Sequence, residues 1–224
     1  CIRDRIEIVE ALTGKVLMRP GKAPESGVRT FFSSDGQLLT AVAGENPSVA
    51  FTWNLATGQR MADWRLPGEC LTMSPLGKRA AVYLPGWRIE ILNREANAEP
   101  VVISAPGRFG VKAMFTRSGD RIFIGAPGSR LTMHYATTGA KLKTYRDSGH
   151  VGRIVQFMLS PDEKQMLTQD WSQNVVIWDV ESAEPRPIIS LKARCADWSP
   201  DQDKPRLALG TAQGVRILTW SVEN

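Results

Sequence analysis

Few side chains here have a type and spacing that could do chemistry. His150 could serve as a general base or a metal ligand, and His134 is the only other histidine. The two do not stand in the HxxxH or HxH spacing that brings two imidazoles to one zinc ion. Cys1, Cys70 and Cys195 are odd in number and far apart, which argues against a disulfide framework and for a reducing compartment. A cysteine nucleophile needs an adjacent base, and neither histidine shares a register with Cys70 or Cys195. Those two cysteines read as small buried apolar residues at the start of inner strands. Asp162, Glu163, Asp170, Asp201 and Asp203 lie in turn contexts, where carboxylates cap backbone amides. Gly-rich pieces such as Ala126-Pro127-Gly128-Ser129 match no phosphate-binding loop. These residues specify no catalytic group, no metal and no cofactor.

The elements that carry them repeat. A polar tight turn follows a short apolar strand at Ser34-Asp35-Gly36, Ser74-Pro75-Leu76-Gly77, Arg117-Ser118-Gly119-Asp120, Ser160-Pro161-Asp162-Glu163 and Ser199-Pro200-Asp201. Gly36 to Gly77 is 41 residues, Gly77 to Gly119 is 42, and Gly119 to the matching Glu163 is 44. A second landmark ends an apolar strand at Trp53-Asn54, His134-Tyr135, Trp178-Asp179 and Trp220-Ser221. Apolar runs are short, rich in Val, Ile, Phe and Trp, and fenced by Gly, Pro, Ser and Asp. Helical repeats of similar period need apolar residues at i, i+3, i+4 and i+7 over longer stretches, and none occurs. The chain is expected to be all-β.

These repeats resemble the WD40 β-propeller family, in a divergent, bacterial-type form. The best copy runs from Gly149 to Asp179, with Gly149-His150 ten residues before Ser160-Pro161-Asp162 and Trp178-Asp179 at its end. The resemblance implies a β-propeller of four-stranded antiparallel blades, about five of them visible. In that family a His, a Ser or Thr, an Asp and a Trp form a buried hydrogen-bonded chain within the blade. His150 and Trp178 match two of its places. Counting back from Trp178 puts Asp170 where the hydroxyl belongs and Ser172 where the carboxylate belongs, so the expected chain is incomplete. Relative to Trp53 and Trp220 those places fall on Glu45 and Pro47, and on Ala212 and Gly214, so those blades are expected to lack it. His150, Trp178, Asp179, Trp53 and Trp220 are read as structural repeat positions.

The resemblance also implies how strands are shared. Each sequence unit supplies the outermost strand of one blade and the three inner strands of the next. The units run roughly 15–54, 59–93, 99–135, 140–179 and 185–221, within one domain spanning 1–224. Residues 6–10 then form a third strand without its first two partners. The expectation is an N-terminally truncated part of a larger ring of about seven blades; the alternative is a ring of five blades that closes here, with residues 1–10 as an extra strand.

With 224 residues, 42% of them hydrophobic, the chain can bury a sizeable core. No apolar stretch approaches the ~20 residues that span a bilayer, and Ile2-Arg3-Asp4-Arg5 interrupts any leader-like run. The expected location is cytoplasmic. The net charge is +5, but the 28 basic residues are scattered, without the continuous stripe that nucleic-acid binding requires.

Two groups of residues are partner-binding candidates. Arg108, Phe109, Arg153, Lys192 and Arg194 fall where first strands begin, and in a propeller those loops rim one mouth of the channel. An arginine-rich rim suits an acidic peptide or a phosphorylated partner, since a guanidinium grips an anion bidentately. Trp171 and Trp87 lie in corresponding hairpin loops, where an indole can anchor an interface or fold back on its own blade. The leading expectation is a non-catalytic protein–protein interaction scaffold, with any catalysis residing in a fused or missing domain. The alternatives are a propeller enzyme (a lactonase-like hydrolase or a quinone-dependent dehydrogenase) with an axial site, or a basic propeller that binds nucleic acid.

Overall fold

The computed structural model describes residues 5–10, 12–22, 28–44, 47–95, 98–105, 110–126, 130–145, 150, 153–186 and 191–219. Every regular element among them is a strand. Hairpin β1 (Arg5–Val9) and β2 (Val16–Lys22) form a two-stranded sheet. Sheet I comprises β3 (Arg29–Phe32), β4 (Leu38–Ala43), β5 (Ser48–Asn54) and β6 (Trp64–Leu66). Sheet II comprises β7 (Glu69–Met73), β8 (Arg79–Leu84), β9 (Arg88–Asn93) and β10 (Val101–Ser104). Sheet III holds β11 (Lys112–Phe115), β12 (Arg121–Ala126), β13 (Arg130–Tyr135) and β14 (Lys141–Tyr145). Sheet IV holds β15 (Ile154–Leu159), β16 (Gln165–Asp170), β17 (Asn174–Asp179) and β18 (Leu191–Lys192). Sheet V holds β19 (Cys195–Trp198), β20 (Arg206–Thr211) and β21 (Gly214–Thr219). Each sheet is an antiparallel meander, its strands ordered as in the chain.

One turn chemistry recurs through all five sheets. A hydroxyl at the end of the first strand accepts the N–H that opens the second. The pairs are Ser33 with Leu38 (2.8 Å), Ser74 with Arg79 (2.9 Å), Thr116 with Arg121 (3.2 Å), Ser160 with Gln165 (2.9 Å) and Ser199 with Arg206 (2.8 Å). Short hydroxyl side chains close turns in this way because they reach backbone donors a few residues on. The turn after the third strand repeats as well. Gly58 donates to Asn54 O, Gly139 to Tyr135 O and Ala183 to Asp179 O, each at a positive φ near 60–75°.

The chain divides into two compact units, residues 1–104 with 117–119, and residues 105–116 with 120–224. In the first, Val42, Ala50 and Leu66 of sheet I pack on Cys70, Met73, Ala80 and Val82 of sheet II. In the second, Phe123, Leu131 and Met133 of sheet III pack with Tyr145 on Ile154, Met166 and Trp178 of sheet IV. The other face of sheet IV, through Leu167, Val175 and Ile177, covers Leu207 and Leu209 of sheet V. Period-2 alternation lets a sheet offer one apolar row to each neighbour. Each large side chain so buried contributes roughly 1.5–3 kcal/mol.

Candidate functional site

Sheet IV carries the candidate site. β16 is buried along its whole length and runs into the hairpin loop Trp171–Gln173. On β17, Trp178 pairs with Met166 across the sheet, and its indole reaches back toward Thr168. Trp178 Nε1 donates to Thr168 Oγ1 at 2.8 Å, and the same oxygen lies 2.7 Å from His150 Nε2. His150 Nδ1 faces Asp170 Oδ2 at 3.4 Å. An indole N–H can only donate, so Thr168 Oγ1 accepts from Trp178; the same hydroxyl lies 3.4 Å from Val176 O, and its role toward His150 Nε2 follows the imidazole tautomer. Trp178, Thr168, His150 and Asp170 thus stand in one buried series, joined by two hydrogen bonds and, between His150 Nδ1 and Asp170 Oδ2, by a 3.4 Å contact without hydrogen-bond geometry. The hydroxyl and carboxylate places lie two residues before those counted from the sequence, on Thr168 and Asp170 rather than Asp170 and Ser172.

Hydroxyl, imidazole and carboxylate in series are the groups of a nucleophile, a base and its orienting acid. Here they are sealed. The side chains of His150 and Asp170 are fully buried, and Thr168 is too. Burial holds the His150 imidazole below its ordinary pKa, against the opposing pull of Asp170. A neutral ring sealed from solvent lies where it can hold the loop that follows β16.

The loop it positions is specific. Asp170 Oδ1 accepts Asn174 N–H at 2.9 Å, Oδ2 accepts Asn174 Nδ2 at 2.8 Å, and Asp170 O accepts Gln173 N–H. Gln173 adopts φ 68°, the left-handed turn that closes the loop. Trp171 is thereby left 73% exposed. Its backbone N–H donates to Arg153 O at 3.0 Å, and the Arg153 guanidinium lies 5.5 Å from its ring centroid. On the other side Arg153 lies so close to Gly110 that a Cβ there would stand 2.7 Å from its Cδ and Nη1. Trp87 lies in the corresponding loop of sheet II, at its last position where Gln173 stands in sheet IV, with φ 63° and 53% exposed. Neither indole folds back into its own sheet.

The end of each sheet where its first strand begins and its second hairpin turns is termed the leading end. In the second unit it carries Lys112, Arg153, Lys192 and Arg194. The only carboxylate at that end among the described residues is Asp170, which is buried. Asp162, Glu163, Asp179, Glu181, Asp201 and Asp203 all sit in turns at the opposite end, with Asp197 midway on β19. In the first unit the leading end is neutralised, with Arg29 bound to Glu69 (2.7 Å) and Arg88 to Glu90 (3.2 Å). Arg108 and Phe109 lie outside the described residues.

Other expected places resolve as follows. His134 sits opposite Ile122 as Trp178 sits opposite Met166, so it holds the tryptophan place of sheet III. Its Nδ1 lies 3.0 Å from Gly139 O and its Nε2 3.0 Å from Thr132 Oγ1. Trp53 holds that place in sheet I, but Ala41 stands where Thr168 stands in sheet IV. Its buried Nε1 accordingly has no hydrogen-bond partner among the described residues. In sheet V the place belongs to Leu218, opposite Leu207, and not to Trp220. The β20–β21 loop has two residues where β16–β17 has three, which accounts for one of the two residues between Leu218 and Trp220; Trp220 itself lies outside the described residues.

Cys70 is buried, and burial pushes its thiol up to about 12. Cys195, expected to be buried likewise, is exposed. A bulge between Cys70 and Thr72 puts Cys70 opposite Val82, on the packed face of its sheet. β19 has no bulge, so Cys195 falls opposite Gly210 on the outward face. Cys1 lies outside the described residues. Among the described residues no group of three or more His, Cys, Asp or Glu could hold a metal ion. No helix among them is long and apolar enough to cross a membrane.

No protein-family model matches the chain, and no curated protein sequence does. Solved structures do. A crystal structure of the mitotic checkpoint complex superposes with a TM-score of 0.71 at 12% identity, covering 97% of this chain and 70% of that one. The β-propeller domain of Myceliophteria thermophila Cps50 (Swd1) superposes with a TM-score of 0.70 at 13% identity, covering 98% of this chain and 82% of that one. Identities this low speak for fold alone: the chain is a β-propeller built of four-stranded antiparallel blades.

Proposed function

We propose that this chain is a non-catalytic protein-interaction module of WD40 type that binds a protein or peptide at the leading end of its second unit. One observation carries the reading. A large indole is held in solvent by a loop that a buried four-residue chain fixes from beneath. Leaving Trp171 mostly exposed forgoes its burial energy, and the rigid loop lowers the ordering cost of using it as an anchor. Cations at the same end, with no accessible carboxylate beside them among the described residues, favour an acidic partner. The structural neighbours include a multiprotein checkpoint complex, which fits such a role. Neither an enzymatic nor a nucleic-acid-binding reading has a comparable observation in its favour.

The test starts from a partner recovered by affinity purification from the protein's source and then purified. Trp171→Ala is expected to weaken its capture about tenfold or more, in the range of an interface anchor, with the unfolding midpoint unchanged. Arg153→Ala with Arg194→Ala and Arg108→Ala is expected to add to the loss. Full capture by all of these variants removes this end from consideration.

A further inference from the structure

Most arginines of the first unit spend their donors internally. Arg29 binds Cys70 O and Glu69, Arg94 binds Thr52 Oγ1 and Ala62 O, Arg79 binds Gly119 O, and Arg60 chelates Asp63. Arg153 is different. It is half-buried and held on two sides, by the Trp171 ring and by the space that Gly110 leaves open. Yet none of its N–H groups has an acceptor among the described residues. A guanidinium over a ring face keeps its donors directed along its own plane, where a bidentate oxyanion fits. The side chain is already ordered, so binding would cost little further rotamer freedom.

We infer that Arg153 is a preorganised receptor for a bidentate oxyanion on a peptide, an Asp or Glu carboxylate or a phosphorylated side chain, supplied by the partner. This rests on the interaction reading above and gives that partner its chemistry. Trp171 contributes on both sides of the contact. Its π face steadies the cation, and its exposed edge offers an apolar surface beside the anion. Lys192 and Arg194, which open toward the same end, add long-range attraction with no exposed carboxylate among the described residues there to compete. Gly110 forms the back wall, because its φ of +76° disfavours a side chain and a Cβ there would push the Arg153 side chain out of this place.

The test uses the whole chain and three fluorescein-labelled peptides of equal length. One is glutamate-rich, one has glutamine at those positions, and one has phosphoserines in the glutamine background. Binding is read as fluorescence anisotropy for wild type, Arg153→Ala, Arg153→Lys and a control at the opposite end, Lys164→Ala. At least one anionic peptide should bind and the glutamine peptide should not. Arg153→Ala should weaken binding about tenfold or more. Arg153→Lys, which keeps the charge but loses the planar fork, should recover less than half of that loss. Lys164→Ala should bind as wild type does. Which anionic peptide binds distinguishes carboxylate from phosphate. Equal binding by Arg153→Ala, or an equal loss in Lys164→Ala, overturns the inference and leaves only diffuse charge. If neither anionic peptide binds while partner capture still depends on Trp171, the oxyanion inference falls and the interaction module stands. If capture ignores Trp171 as well, both fall.

Discussion

Thr168 is the residue on which sheet IV turns, because one hydroxyl serves two buried nitrogens. Thr168→Val keeps the shape and removes the acceptor of Trp178 Nε1 and the hydrogen-bond partner of His150 Nε2. Each buried polar group so orphaned costs about 1–3 kcal/mol, so the variant is expected to lose roughly 3 kcal/mol in urea unfolding. The reverse experiment exists in sheet I, where Trp53 Nε1 lacks an acceptor and Ala41 occupies the matching place. Ala41→Ser should gain about 1 kcal/mol by supplying one. No change in either variant contradicts the hydrogen-bond account. Acid provides a second check. Burial holds both His134 and His150 below the ordinary imidazole value. The unfolded chain therefore takes up protons near pH 6.5 while the folded chain still resists. Stability should be full above about pH 6.5 and fall as pH drops below it, by at most about 1.4 kcal/mol per group per pH unit. Replacing both histidines with glutamine should flatten that slope, measured as the urea midpoint between about pH 7.5 and 5.

At the scale of elements, the repeat was legible because its turns need particular residues. Ser33, Ser74, Thr116, Ser160 and Ser199 close one kind of turn, and Gly14, Gly58 and Gly139 close another at positive φ. Ala183 holds that second place in sheet IV at φ 62°. Ala183→Gly should raise stability by several tenths to about 1 kcal/mol, the strain relieved exceeding the packing of one methyl. A lower midpoint speaks against the strain. What the sequence concealed was the local spacing within each repeat. A count back from Trp178 stops two residues short of Thr168, and the place in the last repeat falls on Leu218, two residues before Trp220, of which the shorter β20–β21 loop accounts for one. A bulge decides whether a cysteine four residues before the turn faces inward. In a Cys1→Ser background, a thiol reagent under native conditions should label Cys195 and spare Cys70. Labelling of both to completion contradicts the bulge-determined faces. The contact of Arg153 with Gly110 was hidden for a different reason: the two are far apart in the chain and meet only when sheets III and IV pack.

At the scale of the whole molecule, a net charge of +5 hides an uneven distribution. Among the described residues of the second unit, the turns at one end collect the carboxylates, while the leading end keeps cations around an exposed indole. That separation gives the unit an electrostatic direction, which scattered surface pairs would not. The same unit buries its hydroxyl–imidazole–carboxylate chain where it stiffens that end. Binding at the leading end is thus the account's central claim, and hydrogen–deuterium exchange with and without the purified partner tests it most directly. The account predicts slowed exchange at residues 170–174 and 192–194 on binding. Slowed exchange confined to the opposite turns, residues 160–164 and 199–206, would contradict it.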